Sequence, residues 1–323
     1  MIAVLIALLC LLAASADGQE PKLEVVVEGL VNPWGLALQT RPGRLLVANS
    51  GAGEIVAIDL KSKQAQPIVT GFPTELAGPN NAYRLGPVGL ALSAQNMLLA
   101  STLAPAGTSA VRSYGLGKEL ASIAWDVNSP SVRVPPGSSR AWRLAPTASG
   151  AFAAATDAST GWIERWPLRK QATAERLVAP PALGGGQGAW ALTATPQGEL
   201  VLGLAGKTED ALDSRVLFCG ARTGRTLLAA AVELRDLIDL AYSPKTGRLY
   251  AADFSAAAPG EGGIFRLDAT AEGGVKPVRV ATLTQPTALA VGDDGALYAA
   301  QLTGSVDGEG RAPGRVVRVQ GTW

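Results

Sequence analysis

The stretch Trp34-Gly35-Leu36-Ala37 returns five times along the chain, always with the same Leu and with Ala after it in all but one copy. The further copies are Val88-Gly89-Leu90-Ala91, Trp142-Arg143-Leu144-Ala145, Trp190-Ala191-Leu192-Thr193, Ile238-Asp239-Leu240-Ala241 and Thr287-Ala288-Leu289-Ala290. Neighbouring copies lie 48 to 54 residues apart. A fixed period of that length is typical of an array of like supersecondary units. The repeat therefore predicts a fold built from six similar units.

Each copy leads into a similar series of short apolar segments. In the first repeat a turn at Arg41-Pro42-Gly43 precedes the run Leu45-Leu46-Val47-Ala48, and a break at Asn49–Gly53 precedes Ile55-Val56-Ala57-Ile58. Short apolar runs separated by Gly or Pro turns indicate an antiparallel meander, and no long helical period is present outside the N-terminal segment. Six such units predict an all-β fold, a six-bladed β-propeller of four-stranded antiparallel blades.

The two ends of the chain complement one another. Only 36 residues follow Thr287, which leaves the last blade one strand short of a full repeat. The strand-like run Leu23-Glu24-Val25-Val26-Val27 precedes the first repeat and has no blade of its own. We therefore expect the N-terminal strand to complete the last blade and close the ring, which removes an exposed sheet edge. A linear solenoid, the alternative array, does not explain this complementary shortfall.

The N-terminal segment has the pattern of an export signal. The apolar run Ile2–Ala13 is too short to span a bilayer, and it ends in Ala14-Ser15-Ala16, which matches a small-residue cleavage site. We predict a signal peptide over residues 1–16 and a single propeller domain over residues 17–323. The protein is then exported, periplasmic or secreted, with no membrane span after cleavage. An uncleaved anchor and a misassigned start codon are the alternatives.

Composition excludes several classes of function. Lys and Arg total 28 against 27 acidic residues, and this near-zero net charge without a basic run argues against a nucleic-acid partner. The chain has no histidine, which excludes a Ser-His-Asp triad and imidazole metal ligands. After cleavage Cys219 is the single cysteine, so no intramolecular disulfide can form. We expect a monomer.

Three segments resemble the NHL repeat, whose pattern combines P-x-G-I/V-A-V with G-x-I/L-Y-V-A-D-S. They are Asn32–Ala37 followed by Gly43–Ser50, then Thr246–Asp253, and Asp294–Gln301. The resemblance implies a six-bladed propeller with a distant relation to regucalcin and gluconolactonase-type propellers. Related propellers include scaffolds, lyases, lactonases and sugar dehydrogenases, so the fold alone does not define a function.

The geometry of a meander places one rim of the propeller as the candidate binding face. The start of each inner strand and the end of each second strand meet there, at the mouth of the channel. We predict a ligand-binding or protein-interaction module that uses this face, with an unknown protein or a small-molecule or carbohydrate ligand as its partner. The candidate ligand-binding residues are Trp34, Asn49, Trp142, Arg143, Trp190, Asp239, Asp253 and Gln301.

Two features of this rim allow more than one interpretation. The tryptophans Trp34, Trp142 and Trp190 share one register, and we favour the interpretation that they fill the channel over an aromatic platform for a ligand. Arg143 and Asp239 are the only charged residues one position further in. They are either an opposed pair that steers a polar ligand or two unrelated residues that face solvent.

The alternative function is a metal-dependent hydrolase of the lactonase or esterase type, as the resemblance to gluconolactonase-type propellers implies. It would hold a divalent cation such as Ca²⁺ in the channel through Asp239, Asp253 and Asn49. Ca²⁺ needs about six to eight oxygen ligands, whereas five of the six positions at the start of the inner strands lack a side-chain oxygen. We therefore predict no cofactor and assign no catalytic residue. The ordinary role of Asp and Asn at such positions is to cap turns and strand ends.

Overall fold

The computed structural model describes ten stretches of the chain, and strands account for most of them. The described residues are 21–93, 96–103, 111–116, 123–124, 141–146, 152–157, 163–167, 175–178, 188–206 and 211–321. The helices in these ranges are three single turns of 3-10 helix, at Ser50–Ala52, Pro79–Asn81 and Pro259–Glu261. No helix in the described part is long and apolar enough to cross a membrane. The predicted signal peptide lies outside the described residues.

The first sheet and a short hairpin come from the N-terminal part of the chain. In chain order, the strands of this part are β1 (Lys22–Val31), β2 (Pro33–Gln39), β3 (Arg44–Asn49), β4 (Glu54–Asp59), β5 (Ala65–Thr70), β6 (Glu75–Ala77) and β7 (Tyr83–Leu85). Strands β2 to β5 are consecutive antiparallel neighbours, and β6 pairs with β7. The first repeat therefore forms the meander that its turns predict.

Two further sheets follow in the middle of the chain. Their strands are β8 (Pro87–Leu92), β9 (Met97–Thr102), β10 (Val111–Gly115), β11 (Ile123–Ala124), β12 (Ala141–Pro146), β13 (Phe152–Asp157), β14 (Ile163–Pro167) and β15 (Glu175–Val178). Strands β12 to β15 form a four-stranded sheet, whereas the sheet of β8 to β10 has three strands among the described residues. The next strand, β11, pairs in parallel with β5 of the first sheet and extends that sheet to five strands.

The C-terminal half contributes three sheets of four strands. Their strands are β16 (Ala189–Ala194), β17 (Leu200–Leu204), β18 (Arg215–Cys219), β19 (Thr226–Ala231), β20 (Leu237–Tyr242), β21 (Leu249–Asp253), β22 (Gly263–Ala269), β23 (Val275–Thr282), β24 (Pro286–Val291), β25 (Leu297–Leu302) and β26 (Pro313–Gln320). The last sheet has the order β1-β26-β25-β24. The N-terminal strand thus pairs antiparallel with β26, as the complementary chain ends predict.

The sheets are arranged around a ring, and the chain is an all-β propeller. Strands β2, β8, β12, β16, β20 and β24 are the inner strands, and each packs against the next, including β24 against β2. Among the described residues, five sheets reach four strands or more, where the sequence predicted six four-stranded blades. The described part of the second repeat supplies a sheet of three strands, and its next strand, β11, pairs with β5 of the first sheet.

Hydrophobic cores fill the spaces between neighbouring sheets. Between the last sheet and the first, Val26 and Tyr298 pack against Leu36 and Val47 within one buried cluster. Similar clusters join the first sheet to the second and the fourth sheet to the fifth. Because both faces of a blade are buried in this way, its strands are nearly continuous apolar runs.

Candidate functional site

Every inner strand contains one extra residue near its start. In β2 the pairing with β3 shifts between Pro33 and Gly35, and equivalent shifts occur in the other five inner strands. Such a β-bulge takes backbone groups out of the ladder and redirects the local side chain. Each shift includes the residue two positions before the repeated Leu, and in β8 and β12 it also spans the residue after it. The residues at this register are Trp34, Val88, Trp142, Trp190, Ile238 and Thr287.

The Arg143 guanidinium lies in the middle of the ring and binds the carbonyl groups that these bulges release. Its Nη1 atom donates to the carbonyl oxygens of Trp34 at 2.6 Å and Val88 at 3.4 Å. Its Nη2 atom donates to Thr287 O at 2.6 Å and Ile238 O at 3.2 Å. One side chain of the third sheet therefore joins the first, second, fifth and sixth sheets of the ring.

Asp239 neutralises this buried guanidinium. Its Oδ1 atom lies 3.5 Å from Nε of Arg143, and its two oxygens accept hydrogen bonds from the backbone N–H groups of Leu240 and Leu289. Burial raises the pKa of Asp239, while Arg143 and the two N–H groups oppose that shift. Burial also lowers the pKa of Arg143. We call Arg143, Asp239 and the four bound carbonyl groups the central hub.

Neither of the two interpretations of Arg143 and Asp239 made from the sequence predicts the central hub. The structure brings Arg143 and Asp239 together as an opposed pair, but the guanidinium binds backbone oxygens of the protein itself. The signal in the sequence is that only these two members of the register are charged, while the other four are Gly or Ala. The carbonyl groups could not be anticipated, because their release depends on bulges that leave no mark in the repeat.

Glycine at two positions of the same register lets the inner strands approach closely. A Cβ atom on Gly35 would lie 2.2 Å from the carbonyl oxygen of Val88, and one on Gly89 would lie 2.9 Å from the carbonyl oxygen of Trp142. Both oxygens belong to bulge residues of the neighbouring strand. The small residues therefore hold the first three inner strands at the spacing that the hub requires.

Aromatic side chains close the channel at the end where the inner strands begin. The ring of Trp34 lies 5.3 Å from Tyr83, 5.9 Å from Phe254 and 6.1 Å from Trp142, measured between centroids. Trp142 continues to Trp190 at 4.7 Å in an edge-to-face contact. Trp34 and Trp142 are buried and Trp190 is half-buried. We call these five residues the aromatic plug, and this packing is what we expect of side chains that fill a channel.

Among the described residues, the channel is open at the other end, where the inner strands finish. A cavity of about 530 Å³ runs from the hub along all six inner strands. Its wall changes from buried residues near the hub to half-buried ones near the opening, and the half-buried residues of the wall include Leu38, Leu92, Thr193, Tyr242 and Val291. Burial and the nearby Glu199 carboxylate raise the pKa of Tyr242 to about 12, so its phenol stays protonated at neutral pH.

The three candidate residues on second strands hold other parts of the protein. Asn49 accepts a hydrogen bond from the backbone N–H of Val31 at 2.7 Å. Asp253 accepts from the N–H groups of Asp236 and Arg235, at 2.8 and 3.3 Å. Asn49 and Asp253 thus fix the segment that leads into the inner strand of their own sheet.

Gln301 occupies the equivalent position in the last sheet. With its amide oxygen turned towards Arg315, it accepts hydrogen bonds from Nε at 2.6 Å and Nη2 at 2.8 Å. The described residues that line the cavity do not include Asn49, Asp253 or Gln301. The structure therefore brings only Arg143 and Asp239 to the cavity out of the eight candidate residues.

The described residues contain no group of three or more His, Cys, Asp and Glu side chains that could hold a metal ion. The carboxylate of Asp239 is engaged by Arg143 and two N–H groups, and burial raises the pKa of Asp253, whose oxygens accept from backbone N–H groups. A hard cation needs several oxygens free to converge on it. The side chains named for the hydrolase alternative do not offer such a set.

Comparison with known proteins supports the fold. No family model matches the chain, and no curated protein shows significant sequence similarity to it. Among solved structures, a glucose dehydrogenase is 16% identical with a TM-score of 0.63 and covers 94% of this chain and 100% of its own. The PQQ-bound aldose sugar dehydrogenase of Streptomyces coelicolor is 16% identical with a TM-score of 0.58, covering 94% and 99%.

A gluconolactonase from Xanthomonas campestris is 11% identical with a TM-score of 0.59, covering 93% of this chain and 89% of its own. The chain shares the propeller fold of these proteins. At such low identity the likeness shows the fold alone. The finer resemblance to NHL repeats stays a prediction.

Proposed function

We propose that this protein binds a small polar molecule in the open part of its central channel, at the opposite end from the rim that the sequence favoured. The observation that carries the proposal is the cavity of about 530 Å³, closed by the hub and open at the far ends of the inner strands. Ligand pockets commonly have volumes of about 300 to 1,000 Å³ and combine apolar walls with a few polar groups. The lining residues here are mainly Leu and Ala, and the polar ones are Arg143, Thr193, Thr195, Asp239 and Tyr242.

The polar groups favour an uncharged, hydroxyl-bearing ligand of about the size of a sugar. Arg143 balances the charge of Asp239, so the floor of the cavity is close to neutral. The carboxylate oxygens of Asp239 can still accept hydrogen bonds. Each inner strand pairs with the rest of its sheet along one edge only. The other edge of such a strand presents unpaired N–H and C=O groups. Hydroxyl groups suit this mixture because they both donate and accept.

We further propose that the ring has six blades and that the protein is exported. The support is that six inner strands pack in a closed order; the sheet of β8 to β10, second in chain order, would be the remaining blade. Export is supported by the apolar run and the small-residue cleavage pattern in residues 1–16. An extracellular compartment would expose the binding channel to free sugars and polyols.

Calorimetry with a panel of neutral sugars and polyols, with charged sugar acids for comparison, tests the binding proposal. We expect saturable binding of at least one neutral member. Thr193→Trp should abolish it by filling the channel, because Thr193 lines the cavity. Thr282→Trp, which alters an exposed threonine on β23, is the matched control and should bind normally. No binding across the panel, or equal binding by Thr193→Trp, would contradict the proposal.

A metal-dependent hydrolase is the second candidate function. Its support comes from the names of similar structures, which include the gluconolactonase and a putative gluconolactonase at a TM-score of 0.52. To hold a cation, Asp239 would have to be released from Arg143 and Asp253 from the backbone N–H group that it binds. Metal analysis and melting curves with Ca²⁺ and EDTA separate the two functions. A stoichiometric ion whose removal lowers the melting temperature, together with lactone hydrolysis, would favour the hydrolase.

A further inference from the structure

The pairing of the inner strands shows which backbone groups face the channel. Just past the end of β8, the N–H of Ser93 donates to Met97 O at 2.9 Å, so these two residues form a hydrogen-bonded pair. Hydrogen-bonded and non-hydrogen-bonded pairs alternate along an antiparallel ladder. Leu90 pairs with Ala100 three steps earlier in this register, and that pair is therefore non-hydrogen-bonded. The N–H and C=O groups of Leu90 consequently point away from β9 and into the channel.

The repeated leucines of the other inner strands have the same orientation. Leu192 is non-hydrogen-bonded by the same count, made from the hydrogen bond just past the end of β16. Leu36 and Leu144 hold the equivalent register in β2 and β12. These three leucines and Leu90 all line the cavity, one residue beyond the register of the central hub. Their N–H groups therefore form a layer of hydrogen-bond donors at the floor of the cavity.

The contacts of Asp239 show that this layer of donors binds oxygen atoms. Leu240 and Leu289 hold the same register in β20 and β24, and their N–H groups donate to the two carboxylate oxygens at 3.0 and 2.8 Å. Asp239 thus occupies the donors of two inner strands. The donors of the other four inner strands face the cavity, where a bound molecule can supply the oxygen atoms.

The Arg143 guanidinium shows which shape of group can satisfy such a layer. It is flat, its N–H groups lie around its edge, and it bonds to carbonyl oxygens of four inner strands at once. The next layer has the opposite polarity and calls for a flat group with oxygen atoms around its edge. A hydroxyl group suits it, because its oxygen accepts from a leucine N–H while its proton is donated to a C=O that also faces the channel.

We propose that the ligand is a ring-shaped polyol, a cyclitol or a pyranose with its hydroxyls in the plane of the ring, which lies across the channel next to the central hub. Its hydroxyl oxygens accept hydrogen bonds from the N–H groups of Leu36, Leu90, Leu144 and Leu192, and a hydroxyl that points to Asp239 donates to the carboxylate. The inference rests on the proposed function and specifies the shape and orientation of its ligand. An open-chain polyol carries the same groups but loses more conformational freedom when it is held in one plane.

Calorimetry with ring and open-chain polyols tests the shape of the ligand. In scyllo-inositol every hydroxyl lies in the plane of the ring, whereas sorbitol is an open chain with the same number of hydroxyls. We expect scyllo-inositol or methyl β-glucoside to bind about tenfold more tightly than sorbitol, because the ring is already rigid. Binding of sorbitol as tight as that of both ring compounds would overturn the inference and leave the proposed function intact. Absence of binding by all three would contradict both.

Amide hydrogen exchange, followed by NMR, tests the contacts at single residues. In the free protein the amide of Leu90 should exchange about tenfold faster than that of Ala91, whose N–H bonds to the second strand. The ring polyol should slow exchange at Leu90 and leave Ala91 unchanged. Leu289 is the matched control, because its N–H already binds Asp239 and should be protected with or without ligand. Equal exchange at Leu90 and Ala91 in the free protein, or a bound polyol that leaves Leu90 unchanged, would overturn the inference.

Discussion

The two ends of the central channel are built from the same six inner strands, yet among the described residues one end is closed and the other is open. At the closed end, Trp34 and Trp142 are buried among aromatic rings. At the open end, Thr193 and Tyr242 are half-buried and line a cavity. The difference lies in side-chain volume at a few positions, with the hub as the boundary. The repeated backbone is thus the same at both ends, and the side chains at a few positions determine which end of the channel is filled.

Removing the ring of Trp34 should have the largest effect on this contrast. Trp34→Ala leaves a cavity inside the aromatic plug, and we expect a loss of about 3 to 5 kcal/mol in the free energy of unfolding. Thr193→Ala, at the open end, is the control and should change stability by less than about 0.5 kcal/mol. Urea denaturation gives both values. Similar losses for the two variants would show that the ends do not differ in packing.

Breaking the hub should have the next largest effect. Arg143→Met removes the cation that balances Asp239 and leaves four carbonyl oxygens without their donor, and we expect a loss of about 3 kcal/mol. Replacing both partners of a buried ion pair commonly recovers part of such a loss. Arg143→Met/Asp239→Asn should therefore be more stable than Arg143→Met alone in the same denaturation experiment. A double variant less stable than the single one would contradict the pairing.

The close approach of the inner strands gives a third test. In Gly35→Ala the new methyl group meets the carbonyl oxygen of Val88, which itself binds Arg143. We expect a loss of about 1 to 3 kcal/mol, because this contact involves backbone atoms that must move. Gly308→Ala is the matched control, since a Cβ atom there has no neighbour within 4 Å. Thermal unfolding of both variants measures the difference, and equal melting temperatures would refute the close approach.

The smallest expected effect concerns pH and the rim residue Asp253. Burial raises its pKa above the ordinary value of 3.8, so the folded protein holds this proton more tightly than the unfolded chain. This tighter proton binding stabilises the folded protein below pH 3.8, and the stabilisation is lost as pH rises through the raised pKa. The free energy of unfolding of the wild type, compared with that of Asp253→Asn, should therefore fall as pH rises from 3.8 to the raised pKa. Above that pKa the difference between the two proteins should no longer change with pH. Parallel stability curves for the two proteins would contradict the raised pKa.

The repeated Leu positions made the all-β ring and its closure by β1 predictable, because apolar periodicity and the missing strand are both visible in the sequence. The path of β11 was not predictable, since two residues carry no signal for the sheet they join. The role of Asn49 and Asp253 followed the ordinary behaviour of such residues at strand ends. The hub was missed for a physical reason. It depends on carbonyl groups, and every residue has one.

The central claim is that, in the described part of the chain, the channel is open where the inner strands finish and closed where they begin, and cysteine labelling tests it most directly. Both native cysteines, Cys10 and Cys219, are first replaced by alanine, and a single cysteine is then placed at Thr193 or at Ala77, which is buried against the aromatic plug. A small water-soluble thiol reagent should modify Thr193→Cys readily in the folded protein and leave Ala77→Cys unmodified until the protein is unfolded. Equal labelling of the two positions, or faster labelling at Ala77→Cys, would contradict the account.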